Sequence, residues 1–86
     1  MPRLVNGLTT RRVQTENNPG LYADGFGLYL QVTQSGSKTW IYRYSLRGRR
    51  RDMGLGSVKI ISLKEARDRA YEARRKVQID KVDPID

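Results

Sequence analysis

Six cationic side chains and no acidic one lie between Lys38 and Arg51: Lys38, Arg43, Arg47, Arg49, Arg50 and Arg51, with Trp40, Tyr42 and Tyr44 set among them. Positive groups at this density repel one another unless something anionic covers them, and a regular row of phosphates is the natural complement. Arginine brings a second capability, because its planar fork can pair bidentately with guanine as well as with phosphate. The block carries most of the chain's formal net charge of +8. Its chemistry is therefore binding to nucleic acid rather than bond-making.

The inventory excludes most catalytic alternatives. The chain has no His and no Cys, which removes the usual zinc ligands, the thiolate nucleophile and the commonest general base together. No metal or cofactor is expected. At 86 residues there is room for one small domain that buries roughly 60–65% of its unfolded surface, too little for a deep active site. No apolar run approaches the roughly 20 residues that span a bilayer. The opening Met1-Pro2-Arg3-Leu4-Val5-Asn6-Gly7 lacks the apolar stretch of a secretory signal. A cytosolic protein fits both observations, although the charge alone would also suit an acidic membrane.

The elements that position the cations can be read from periodicity. Leu28, Leu30 and Val32 alternate with Tyr29, Gln31 and Thr33 after a Gly25-Phe26-Gly27 turn, the pattern of a half-buried strand. Gln34 to Ser37 supply turn residues before a second strand, Thr39 to Ser45, and Arg47-Gly48 marks the next reversal into a third, Arg49 to Leu55. Short connections predict antiparallel pairing. Ser62-Leu63-Lys64-Glu65 matches a capping box, and Leu63, Ala66, Ala70, Ala73 and Val77 form a narrow apolar helical stripe behind it. The expected fold is α+β, a three-stranded antiparallel β-sheet packed against one C-terminal α-helix.

That packing divides the sheet. If Leu28, Leu30, Val32, Trp40, Tyr42 and Tyr44 face the helix, alternation sends Tyr29, Gln31, Ile41, Arg43 and Ser45 to the free face. Tyr29, Gln31 and Arg43 then form a candidate reader, since the major groove admits a β-ribbon in which Arg pairs with guanine and Gln with adenine. Lys38, Arg47, Arg49, Arg50 and Arg51 fall near strand ends, within reach of flanking phosphates. With Met53 and Leu55 inward, Arg50 points outward and is the likelier base contact of its run. Arg67, Arg69, Arg74 and Arg75 read as the wet face of the helix. The end, Asp80 to Asp86, reads either as the start of an interdomain linker or as a frayed tail, with Asp83 before Pro84 stopping the helix.

Five segments occur in a fixed order: Tyr22-Ala23-Asp24-Gly25-Phe26-Gly27-Leu28-Tyr29-Leu30-Gln31-Val32, Gly36 to Tyr44, Met53-Gly54-Leu55-Gly56, Leu63-Lys64-Glu65-Ala66-Arg67, and Asp83-Pro84. In this order the chain resembles the N-terminal arm-binding domain of phage and genomic-island tyrosine recombinases. Leu8 to Val13 is similar to that family's opening segment. The resemblance implies a single domain, structured over about 8–80, with 81–86 beginning the linker to core-binding and catalytic domains. It implies a sheet laid in the major groove of repeated arm-type sites. The partners would be double-stranded DNA and the remainder of the integrase, in the cytoplasm of a bacterial host and associated with its nucleoid, with no membrane. The family's tyrosine nucleophile and arginine- and histidine-rich pocket lie C-terminal to this domain, so the chain is expected to bind DNA without cutting it. An RNA-binding module, or a protein-interaction domain between integrase protomers, stays open from the residues alone.

Overall fold

The computed structural model describes residues 7–85, so the N-terminal stretch read as lacking a signal lies almost wholly outside the described residues. The elements run α1 (Thr10–Thr15), β1 (Gly20–Gly25), β2 (Leu28–Val32), β3 (Lys38–Leu46), β4 (Arg49–Ser57) and α2 (Leu63–Gln78). The strands form one antiparallel meander in the order β1-β2-β3-β4. The sheet thus has four strands rather than the three expected. The additional strand, β1, is Gly20-Leu21-Tyr22-Ala23-Asp24-Gly25, whose glycines, alanine and aspartate have poor strand propensity. Pairing with β2 and a buried charge, described below, hold it instead.

α2 begins where the capping box predicts: the Ser62 hydroxyl accepts from the Glu65 N–H at 3.1 Å. Leu63, Ala66, Ala70, Ala73 and Val77 are all buried, and they meet Leu28, Leu30, Val32, Trp40, Tyr42, Tyr44 and Leu55 of the sheet in one core. Trp40 is fully buried, and its indole N–H donates to the Ile61 carbonyl at 2.8 Å. Tyr42 and Tyr44 stack with ring centroids 5.3 Å apart. The alanines of α2 let the helix approach these large rings closely.

Leu8 and Val13 join the same core, and α1 is capped by the Thr9 hydroxyl, which accepts from the Arg12 N–H at 3.1 Å. The N-terminal segment is fastened through Asp24, which is 1% exposed. Its carboxylate accepts from Leu8 N at 2.9 Å and from Arg67 Nε and Nη2, each at 2.9 Å, while Nη2 also lies 2.9 Å from the Leu8 carbonyl. Arg67 therefore does not belong to the wet face of the helix. It is the counter-ion of a buried carboxylate, and that hydrogen bonding raises its own pKa.

Two glycines are required by close approach. Gly27, at φ +87°, follows Phe26 at φ +54° in a two-residue hairpin turn, and a Cβ on Gly27 would lie 2.5 Å from the Arg43 carbonyl. Gly56 follows a bulge at which Trp40 pairs with Gly56 and Ile41 with Gly54, leaving Leu55 as the extra residue. A Cβ on Gly56 would lie 2.8 Å from Ile61. Met53 and Leu55, two residues apart, both pack inward as strand alternation requires, and the bulge shifts the register only from Leu55 onward.

Candidate nucleic-acid interface

Among the described residues, everything that covers the sheet lies on one side. α2 packs against β2, β3 and β4. Lys38 has the same strand parity as Trp40 and reaches α1, its Nζ donating to the carbonyls of Val13 at 2.8 Å and Gln14 at 3.1 Å. Among the described residues, no helix or loop packs across the other face. Strand parity and register place Leu21 and Ala23 of β1, Tyr29 and Gln31 of β2, Thr39, Ile41, Arg43 and Ser45 of β3, and Arg50, Asp52 and Gly54 of β4 on it.

At its centre Arg43 is held on two sides. Its Nε donates to Asp52 Oδ1 at 2.9 Å and its Nη2 to Oδ2 at 3.2 Å, across the β3–β4 pair. Its guanidinium lies 5.1 Å from the ring centroid of Tyr29. The hydrogen bonds to Asp52 raise the Arg43 pKa, and the same bonds hold the Asp52 carboxyl below its ordinary value. The Arg43 backbone is fixed as well, since its N–H donates to the Gly27 carbonyl at 2.7 Å. The turn of the β1–β2 hairpin thus sets the position of the central arginine. Farther along the same face, past Ile41, the Thr39 hydroxyl donates to Gln31 Oε1 at 3.3 Å, which occupies one acceptor lone pair and none of the amide donors.

The remaining sequence candidates separate into two groups. Arg47, Arg49 and Arg50 are exposed at the turn end of the β3–β4 hairpin. Arg47 sits in the turn itself at φ +54°, and Arg50 lies opposite Ser45 on the uncovered face. Lys38 and Arg51 point the other way. Lys38 is spent on α1, and Arg51 Nη1 donates to Asp83 Oδ2 at 2.6 Å. Asp83 also accepts from the Tyr44 hydroxyl, so the tail after α2 is tied down beneath the sheet. That Tyr44 bond, with the Ile85 N–H and Arg51 as further donors, holds the Asp83 carboxyl below its ordinary value.

Sequence reasoning did not find Asp52 as the partner of Arg43, though a signal existed. Once the Arg47-Gly48 turn is taken as a two-residue hairpin, Leu46 pairs with Arg49 and Arg43 falls opposite Asp52. A second exposed group lies at the β1–β2 turn and α2. Arg74 stands 4.3 Å from the Phe26 ring centroid and 5.7 Å from that of Tyr71, beside a cleft of ≈ 190 Å³ that these residues share with Leu28 and Ala70.

Arg43 and Arg50 thus stand on a sheet face, backed by a helix on its other side, that no described element covers, and comparison with known proteins gives the family. Residues 8–86 match the arm DNA-binding domain family. An integrase of Shigella phage Sf6 and the prophage integrase IntS of Escherichia coli K12 are each 35% identical over 81 residues, 91% of this chain and 21% of the relative. The prophage integrase IntZ of the same strain is 41% identical over 63 residues, 71% of this chain and 16% of the relative. The chain thus spans about a fifth of the length of these relatives. With nearly all of its sequence matched, this chain belongs to the arm DNA-binding domain family.

Proposed function

We propose that the chain is the module by which an integrase recognises arm-type sites on double-stranded DNA, with the uncovered face of the sheet in the major groove. The observation that carries this reading is Arg43, held by Asp52 and set against Tyr29 on a face that nothing among the described residues covers, with Gln31 farther along the same face. The groove is about 12 Å wide, enough for a β-ribbon. Arg43 and Gln31 supply the donor patterns that pair with guanine and adenine edges, and Arg50 extends the reach toward the hairpin end. Arg47 and Arg49 neutralise the flanking phosphates and set the register without reading sequence. Lys38 and Arg51, committed to α1 and the tail, contribute to the field rather than to contacts.

The module binds and positions; strand cleavage and joining belong to other domains of the integrase, and the polypeptide after α2 leads toward them. Single-stranded RNA binding is disfavoured because, among the described residues, the free face offers Tyr29 alone as an outward ring, with Arg43 already over it. A contact between protomers finds one supporting feature, the exposed Phe26, Arg74 and Tyr71 group on the helix side, which groove binding leaves accessible. The decisive experiment is selection from a random duplex library, followed by methylation interference read at guanine N7 in the major groove and at adenine N3 in the minor groove. Recurrence of a short motif with interference in the major groove supports the reading. Enrichment of no motif, or interference confined to the minor groove, refutes it.

A further inference from the structure

The uncovered face carries one acidic side chain among its described residues, Asp52. In a field of cations facing a polyanion this placement is electrostatically adverse for affinity, because the carboxylate repels phosphate and offsets one arginine. Its geometry shows what it supplies. By accepting from Nε and one Nη2 proton, Asp52 takes one edge of the Arg43 fork and leaves the opposite Nη1/Nη2 edge, with its two parallel N–H vectors, for another acceptor pair. The Asp52 side chain is 43% exposed, and an ionised carboxylate with two bonds made retains further lone pairs.

We propose that Asp52 determines base specificity at this interface, holding Arg43 for guanine and itself accepting from the amino group of the paired or adjacent cytosine. The inference rests on the major-groove reading above. Guanine presents two acceptors, N7 and O6, that match the free edge of Arg43, whereas cytosine N4 presents the donor that an acceptor-only carboxylate needs. An A·T pair offers thymine O4, an acceptor, where Asp52 would require a donor. Repulsion between Asp52 and phosphate also keeps Arg43 from being drawn to the backbone, so the same group favours the right base and disfavours the wrong contact. Tyr29 lies against one face of the guanidinium and Asp52 holds one edge, which leaves the Nη1/Nη2 edge available for reading.

The test measures affinity of the whole 86-residue chain for its selected duplex, for the set of single base-pair variants of that duplex, and for random duplex. Wild type, D52A, D52N and R43A are compared, with thermal melting of each in parallel. Wild type is expected to prefer G·C at one position by about tenfold or more, within the discrimination one bidentate pair supplies. D52A loses most of that preference at that position alone, while its affinity for random duplex holds or rises. D52N, which keeps one acceptor toward the fork, falls between, and R43A loses the same preference. A merely structural role for Asp52 lowers the melting temperature and leaves the base preference intact, and that result overturns the proposal. So does an equal loss by D52A on selected and random DNA. If wild type itself shows no base preference at any position, the major-groove reading fails; if it shows one that D52A and D52N retain, only the role of Asp52 fails.

Discussion

Arg67→Met removes the cation that faces a carboxylate of 1% exposure while keeping most of the side-chain volume, so its effect isolates the charge. Asp24 loses two hydrogen bonds and keeps the one from Leu8 N, and the Leu8 carbonyl loses its donor. Stripping one partner from a buried pair costs about 3–5 kcal/mol. The Arg67 side chain is 34% exposed, so water partly replaces it and the lower figure, about 3 kcal/mol, applies. For a domain of this size, at roughly 0.05–0.15 kcal/mol per residue, that is a large share of the folding free energy. Urea denaturation at neutral pH, read by Trp40 fluorescence, measures the loss directly. Asp24→Asn in the same background removes the stranded charge and is expected to recover part of the stability, whereas alone it destabilises. A loss under about 1 kcal/mol for Arg67→Met, or no recovery in the double variant, refutes the argument that this pair fastens the N-terminal segment and β1 to α2.

Other consequences concern the face and its support. Gly27→Ala places a methyl 2.5 Å from the Arg43 carbonyl at a positive φ that alone costs about 1–2 kcal/mol; a fall in stability of at least 2 kcal/mol or so, with weakened DNA binding beyond it, is expected by denaturation and anisotropy. Arg43→Ala lowers affinity for the selected site by about 1–3 kcal/mol and for random duplex much less; equal losses in competition binding place Arg43 on phosphate instead. With Arg47, Arg49 and Arg50 as the exposed hairpin cations, log K falls against log salt with a slope of about 3, and a flat titration removes the electrostatic argument. The Asp83 carboxyl is held below its ordinary 3.8, so tail docking is complete above that value and is lost as pH falls through the lower folded one. The Val82 and Ile85 amide resonances report it; an unchanged spectrum through that window contradicts the anchoring role.

What could be read in the sequence follows from which interactions are periodic. The stripe of α2 and the alternation of β2 and β3 are imposed by burial on one side, and each apolar position so identified is in the core. Met53 and Leu55 also point inward by simple alternation, whereas the bulge beside them was visible only as Gly54 and Gly56. β1 was illegible as a strand because its stabilisation comes from β2 and from Asp24 meeting Arg67 across 43 residues. Charge pattern on a helix does not reveal a partner so distant, and Arg67 is indistinguishable in sequence from the solvated Arg69. The same holds on the free face. Arg43 is conspicuous as a strand cation, but its pairing with Asp52 depends on hairpin register. Lys38 and Arg51 show the converse limit: their charge is evident in sequence, but not which side of the sheet they leave by.

In the proposed binding mode the sheet's uncovered side meets DNA while the helix side does not. Chemical-shift mapping of the isotopically labelled chain, titrated with its selected duplex at moderate salt, tests this most directly. The largest perturbations are expected at Tyr29, Gln31, Ile41, Arg43 and Arg50, with Ala66, Ala70 and Ala73 nearly unmoved. Perturbations concentrated on α2, with Arg43 and Gln31 unchanged, would contradict it.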